Sequence, residues 1–364
     1  MTEPTPIETI APERLHALAR TIVAAGGSDP REAALVADHL VAANLAGHDS
    51  HGIGMLPDYV RCVRAGLLVP NQEPAVIRDR GAVLHLDGRH GYGQVMGRRA
   101  MELGIERARA NGAVVVGLRN SNHLGRIGHW AEQCAAAGLV SLHMVNVADH
   151  APLQAPWGCS DARLGTNPFC IGLPDGRGGT AFLLDMATSA IAFGKARVAR
   201  NKGQPVPEGT LIDAEGRPTT DPTTYVDSRR GALLAFGRHK GSGLAVMCEM
   251  LGAALVGGMT IAPHHPRRDG IVNSMLSVLI DPAAFGEPDA IVREMSAIAD
   301  WVTSSPPAPG FSEVLLPGWP EQRARAARAA GVPVDPKSLG DIVGAGESLG
   351  LRRAELLALI GRAG

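Results

Sequence analysis

Gly91-Tyr92-Gly93-Gln94-Val95-Met96-Gly97 follows the strand-like run Val83-Leu84-His85-Leu86-Asp87-Gly88, where a dinucleotide-binding fingerprint would stand. Its third glycine falls one residue late for G-x-G-x-x-G. The next apolar run, Ala113 to Leu118 (AVVVGL), ends in Arg119-Asn120, not in the Asp or Glu that binds a ribose 2′-hydroxyl. A tight turn into a helix explains these glycines equally well, so a Rossmann fold is rejected. GxxxxGK[ST] is also absent, and phosphoryl transfer has no support in the sequence.

Around that stretch the pattern alternates between helix and strand. Met96 to Ala110 reads as a helix, Ala113 to Leu118 as a buried strand, Ile127 to Ala137 as a helix and Val140 to Val147 as a further strand. Phe182 to Asp185 resembles a strand end, Leu276 to Ile280 another strand, and Ala290 to Val302 a helix. Upstream, Leu15, Leu18, Ala19, Ile22 and Val23 form a helical apolar stripe after Pro12. Ser28-Asp29-Pro30 opens a second helix, with Ala34, Val36, Leu40 and Ala43 at helical spacing. The C-terminal part from Pro320 is helical, Arg-rich and interrupted at Val332-Pro333, while Asn201 to Tyr225 is a long excursion rich in Pro, Gly and Thr. The expected fold is mixed α/β, a large mixed sheet flanked by helices. Residues 1–80 form a helical lobe packed with 320–364, and 81–320 a mixed-sheet domain for cofactor and catalysis.

The chain has 364 residues, with 45% hydrophobic and 20% charged, a globular composition. A formal net charge of -1 gives no reason to expect nucleic acid or an anionic membrane as partner. Five scattered cysteines with no CxxC argue against a disulfide framework or zinc site and for a reducing, cytoplasmic setting. The opening MTEPTPIETIAPERL lacks a basic segment followed by an apolar one, so no secretory signal is expected. Gly241 to Met259 is long and apolar, but it carries Glu249 and reads as a buried helix lining a site rather than a membrane span.

Two of the 13 histidines lie in short polar loops. His51 stands in Asp49-Ser50-His51-Gly52, and His123 in Asn120-Ser121-Asn122-His123-Leu124-Gly125-Arg126 after AVVVGL. Imidazole titrates near neutrality and suits the proton that accompanies a hydride; each could equally satisfy loop backbone groups. A metal would need a third ligand, and His264-His265 reads as surface, so no metal is expected. Asp185, ending an apolar run, either caps the next helix or orients a catalytic group. Lys240 stands at a helix start, suited to a phosphate or simply solvated, and Gly165-Thr166-Asn167-Pro168 is a turn facing a ligand or merely closing the chain.

In order, GHDSHGIGMLPDYV, NSNHLGRIGHWAEQCAAAGLVSLHMVNV, RLGTNPFCIGLP, LLDMATSAIAFGKARVARNKGQPVPEGTLID, HKGSGLAVMCEMLGAALVGG and LLPGWPE resemble the malate/L-lactate dehydrogenase family of the second type. That family includes ureidoglycolate, sulfolactate and archaeal-type malate dehydrogenases and cyclic imino-acid reductases. The segments look nearest its bacterial hydroxycarboxylate dehydrogenase B subgroup. The resemblance implies a helical lobe around a large mixed sheet, a non-Rossmann site for NAD or NADP, and a homodimer acting on a 2-oxo or 2-hydroxy acid. It implies that His51 and His123 line the active site, oriented by Ser50 and Asp185. It further implies cofactor contacts at Gly125, Arg126, Ile127, Asp185, Met186, Ala187, Thr188, Lys240, Asn273, Leu316, Pro317, Gly318 and Trp319. Thr166 and Asn167 would face substrate.

Two positions depart from the family pattern. Several di-acid-specific members carry arginine four residues after the His of the SHG motif, where this chain has Met55, with Tyr59 a turn further on. Without a guanidinium a second acid group would be poorly compensated on burial, so Met55 and Tyr59 point to an apolar or aromatic substrate side chain. The family turn reads PGE, and here Trp319 replaces the acid, leaving NAD and NADP both open. Rival readings are a cyclic-imine reductase, a malate or lactate dehydrogenase, a non-catalytic ligand-binding relative and, furthest, a metal-dependent hydrolase.

Overall fold

The computed structural model describes residues 8–201 and 203–362; the reading of residues 1–7, and of the last two of the helical C-terminal part, lies outside them. The chain opens with β1 (Glu8–Ile10) and the helices α1 (Pro12–Ala25) and α2 (Pro30–Leu45), each with proline in its first turn, where a missing N–H costs nothing. Asp29 caps α2 by accepting from Glu32 N at 2.7 Å. Two short 3₁₀ turns carry the chain from α2 to α3 (Leu56–Arg64). Then come β2 (Ala75–Asp79), β3 (Val83–Asp87), α4 (Gly93–Asn111), β4 (Ala113–Ser121), α5 (Gly128–Ala136), β5 (Val140–Ala148), β6 (Phe169–Pro174) and β7 (Thr180–Met186). Next are α6 (Phe193–Asn201), β8 (Leu211–Ile212), β9 (Pro218–Thr219), α7 (Thr223–Ser228), β10 (Ala232–Leu233), and α8 (His239–Glu249), which runs on through a π turn at Met250–Ala254. The chain closes with β11 (Val272–Ile280), α9 (Pro288–Thr303), α10 (Trp319–Arg328), β12 (Val332–Val334), α11 (Pro336–Glu347) and α12 (Arg353–Leu359).

Among the described residues the main sheet has seven strands in the order β2-β3-β4-β11-β5-β6-β7. β3 and β4 pair in parallel, and the other neighbours run antiparallel, so the sheet is mixed as expected. Alternation along β4 shows the two covered faces: Val116 packs under Gly104 of α4, and its neighbour Gly117 lies under Val256 beyond the π turn. The first helices pack with α10, α11 and α12, and β1 pairs antiparallel with β12, joining the two ends of the chain. The main apolar core runs from Leu15 and Leu40 through Met96 and Trp130 to Met275 and Ile342.

Several expectations need correction. β2 joins the sheet edge, so the sheet begins before residue 81. β11 starts at Val272, not Leu276, because Asn273 and Ser274 use their side chains within the interior and so belong to the strand despite their polarity. The 201–225 excursion holds β8 and β9 of a second sheet, ordered β10-β8-β9, with a small core of Ala196, Val206, Leu211, Tyr225 and Leu233. The 241–259 helix is buried on one face only: Ala245, Cys248 and Gly252 face the protein, while Met247, Met250 and Leu255 are exposed. No helix among the described residues is long and apolar enough to cross a membrane.

The glycines of the opening stretch meet protein. A Cβ at Gly93 would lie 2.0 Å from the carbonyl oxygen of His123, and one at Gly97 would lie 2.5 Å from the Trp130 ring. They let the start of α4 press directly onto the His123 loop and onto α5.

Candidate active site

The site stands where three strands end together. β11 runs antiparallel to both β4 and β5, so Asn273 lies between Ser121 and Val147 at the C-terminal ends of those strands. Asn273 Nδ2 donates to Asn146 O at 2.8 Å, and its Oδ1 accepts from Leu124 N at 2.8 Å. The loop carrying His123 is thereby tied to the sheet. Asn122 Oδ1 accepts from His123 N at 2.8 Å, and Trp130 Nε1 donates to Leu124 O at 3.1 Å.

His51 closes the first 3₁₀ turn after α2. Asn44 Nδ2 donates to Asp49 Oδ1 at 2.7 Å and its Oδ1 accepts from Ile53 N at 2.9 Å, straddling the His51 turn. A Cβ at Gly52 would fall 2.2 Å from Asn44 Oδ1, which is why the residue after His51 is glycine. Arg328 of α10 donates to both oxygens of Asp49, at 2.7 and 3.0 Å, and the His48 ring meets Glu321 at 3.1 Å. The C-terminal helices thus hold the turn from outside.

These two anchored loops bring the imidazoles together. The rings of His51 and His123 lie nearly parallel, 20° apart in plane, with centroids 5.6 Å apart. His51 Nδ1 meets Ser50 Oγ at 3.0 Å. His123 Nδ1 meets the Tyr59 hydroxyl at 2.8 Å. The Nε2 atom of neither ring has a partner among the described residues. Burial, then repulsion from His48 and Arg126, lowers His51 to about 4; burial, then His51 opposite, lowers His123 to about 3. Both rings are neutral at pH 7, and each can offer an Nε2–H donor or an Nε2 lone pair to a substrate oxygen, according to tautomer.

Other expected residues take different places. Asp185 accepts from Gly128 N at 2.9 Å and lies 3.7 Å from Arg126, so it caps α5 from across the sheet instead of orienting either imidazole. Burial raises its pKa, with Arg126 opposing. Tyr59 is 1% exposed; its hydroxyl bridges His123 and Gln94 Nε2, at 2.8 Å each, so it positions His123 instead of walling a substrate pocket. Met55 is half-buried and packs on the main core. Asn167 is fully buried, and both amide hydrogens and one lone pair of its oxygen are engaged by Ala245 O, Glu249 Oε2 and Val147 N. Thr166 O accepts from Thr188 N at 3.0 Å.

The residues expected around a cofactor take the following places. Gly125, at φ +71°, lies against His39, whose Nε2 accepts from Arg126 N at 3.0 Å. Ile127 N-caps α5 beside Gly128 and Asp185. Gly318, at φ 94°, packs on Leu183, whose N donates to Pro317 O at 3.2 Å, so Leu316 to Trp319 adjoin β7 and its end at Met186. Ala187 leads to Thr188, whose O accepts from Phe236 N at 3.1 Å, four residues before Lys240 at the start of α8. The Arg126 guanidinium is buried, bonds Glu132, and keeps Nε without a partner. Gln94, His39 and the Asn44–Arg328 clamp escaped the sequence reading. Gln94 sits inside the failed fingerprint, where the glycines drew the attention.

The candidate site is thus a pair of facing histidines at one end of a mixed sheet. The chain belongs to the malate/L-lactate dehydrogenase family, whose model matches residues 10–343. Hydroxycarboxylate dehydrogenase B of Escherichia coli O157:H7 is 47% identical over 349 residues, 95% of this chain and 96% of its own length. L-lactate dehydrogenase of Cupriavidus necator is 42% identical over 319 residues, 88% and 91% of the two chains. A solved structure from E. coli, classed with malate/lactate dehydrogenases, matches with a TM-score of 0.91 at 46% identity, covering 97% of this chain and 98% of its own.

Proposed function

We propose that this chain is an NAD(P)-dependent dehydrogenase interconverting a 2-hydroxy acid and its 2-oxo acid, with an apolar or aromatic side chain preferred over a di-acid. The observation that carries the reading is the facing pair of neutral imidazoles, with both Nδ1 atoms engaged and both Nε2 atoms open. Reduction of a 2-oxo acid adds hydride at C2 and a proton at the oxygen. A nicotinamide supplies the hydride when bound. The chain's own imidazoles hold the substrate oxygen, and a neutral ring that gives its Nε2–H to that oxygen regains a proton at Nδ1 from solvent, for His51 by way of the exposed Ser50 hydroxyl, a contribution of ~10²–10⁴-fold in rate.

The residues present fit a dinucleotide. Lys240 stands exposed in the first turn of the 11-residue α8, where backbone N–H groups and a cation together favour a phosphate. Arg126 offers an unpartnered buried Nε beside Gly125 and Asp185. Such a dinucleotide would lie outside any Rossmann βαβ unit. Gly125, Ile127, Asp185 to Thr188, Asn273 and Leu316 to Trp319 complete the surround. Met55 supports the side-chain preference, since a methionine leaves no guanidinium at that position for a second acid group. The reading includes a helical lobe, α1 to α3 with α10 to α12, beside a catalytic unit built on the main sheet from its edge strand β2 onward, and a cytoplasmic homodimer.

The test is absorbance at 340 nm with NADH and NADPH against oxaloacetate, pyruvate, 2-oxoglutarate, phenylpyruvate and a cyclic imine. Consumption with phenylpyruvate and little with oxaloacetate is expected. Strong oxaloacetate reduction would refute the side-chain preference, turnover of the imine alone would refute the substrate class, and silence on the whole panel would refute the dehydrogenase reading.

A further inference from the structure

His123 is held by a hydrogen-bond chain that ends in a residue outside the dehydrogenase motifs. Gln94 stands in the first turn of α4 and is 2% exposed. Its Nε2 donates to the Tyr59 hydroxyl oxygen at 2.8 Å, and that hydroxyl meets His123 Nδ1 at 2.8 Å. Gln94 Oε1 is buried without a partner.

The donor count sets a direction. A phenol has one hydrogen, and burial raises the Tyr59 pKa, so the hydroxyl keeps it. An amide N–H already fills one lone pair of the phenol oxygen, and among the described residues the only other polar atom the phenol reaches is His123 Nδ1. Its hydrogen therefore points at Nδ1, which must accept. A neutral imidazole whose Nδ1 accepts carries its proton on Nε2. His51 has no such constraint, because its Nδ1 partner is the exposed Ser50 hydroxyl, a rotor able to donate or accept.

We propose that Gln94 is a positioning residue which, through Tyr59, fixes His123 in the tautomer protonated at Nε2, so that His123 meets the substrate oxygen as an N–H donor. The inference rests on the dehydrogenase reading for its meaning and on the Gln94–Tyr59–His123 geometry for its content. A proton arriving at Nδ1 must turn the phenol hydrogen away, and that hydrogen finds an acceptor only if the Gln94 amide rotates to present Oε1. The chain therefore opposes protonation of His123 beyond the effect of burial. The titratable groups facing His123 are His51 from the turn after α2, His39 of α2 and Tyr59 of α3, and they stay in place when Gln94 is changed.

The experiment is ¹⁵N NMR of the full-length protein labelled at histidine, with His123 assigned by the signals lost in His123→Gln. In the wild type between pH 6 and 8 the expected spectrum shows Nδ1 of His123 unprotonated and Nε2 bearing hydrogen. Gln94→Met keeps the chain length, removes the donor, and should release the tautomer into a mixture. It should also raise the His123 midpoint, and the matching limb of the kcat/KM profile against pH, by about one pH unit, a tenfold change in proton affinity. A wild-type His123 protonated at Nδ1 overturns the proposal with no variant needed. A Gln94→Met protein that loses activity while tautomer and midpoint stay fixed overturns it too, since mere packing damage would do that. Consumption of NADH or NADPH by the wild type judges the dehydrogenase reading separately.

Discussion

Gly93→Ala tests whether the failed fingerprint exists to seat the His123 loop. The added Cβ would lie 2.0 Å from the His123 carbonyl oxygen, 2.4 Å from its carbon and 2.6 Å from Leu124 Cα. All three are backbone atoms, so no side-chain rotation relieves the clash. Carbon–oxygen contacts sit no closer than about 3.3 Å, so the loop or the start of α4 must retreat by about 1.3 Å. The loop is tied at Asn122, Asn273 and Trp130, and it cannot move alone without stretching those bonds. Overpacking of this kind costs about 1–3 kcal/mol of stability. A catalytic group displaced by ~1 Å loses ~10²-fold in rate, so kcat should fall by about that factor. Gly340→Ala is the control: it lies exposed in α11 with nothing within 4 Å of its added Cβ and should leave kcat unchanged. Steady-state turnover and urea denaturation of both variants decide the matter. A Gly93→Ala enzyme with kcat within about threefold of wild type and unaltered stability would refute the reasoning.

His51→Ala and His123→Ala should each lower kcat by ~10² or more while the fold persists, and near-normal turnover in both would sink the proton-transfer assignment. Asn273→Ala leaves Leu124 N–H and Asn146 C=O buried and unpaired, at about 1–3 kcal/mol each, so denaturation midpoint and kcat should drop together; a stable, fully active variant would contradict the tether. Acid should destabilise the fold. His143 is fully buried between Ser141 and Ser277, and burial lowers it from 6.5 to about 3. It stays neutral in the fold while the unfolded chain takes up a proton, so stability falls as pH drops from about 6.5 towards 3. Denaturation measured at pH 7, 6 and 5 should show a pH slope shallower by about one proton in His143→Gln than in wild type, and equal slopes would exclude His143 as a source.

Much of the framework was legible because it is locally periodic. The stripe Leu15, Leu18, Ile22 and the run AVVVGL announce their elements through spacing alone, and both appear as read. The order of the sheet was not legible, since β11 enters between β4 and β5 from far along the chain and its first residues, Asn273 and Ser274, look polar. The two imidazoles were found through their polar, glycine-flanked loops. Their supports were not. Tyr59 reads as an aromatic on an apolar helix face, and its hydroxyl's partners lie 64 and 35 residues away in sequence. Asp185 was read through its own strand and following segment, whereas its partner is the start of α5, 57 residues earlier. Pairings of that kind leave no trace in spacing.

The clamp of Arg328 on Asp49 spans 279 residues of chain. On the ribosome the turn bearing His51 emerges early and must wait for α10. At ~5–20 residues per second of synthesis that wait is roughly 15–55 s. During it, the first helices also lack α10, α11 and α12, against which they pack in the finished molecule. A chain stalled before residue 328 would carry both imidazoles and most of the sheet yet leave Asp49 without its guanidinium partner. Loss of the last tenth of the gene should therefore abolish activity, although His51 and His123 have already been translated.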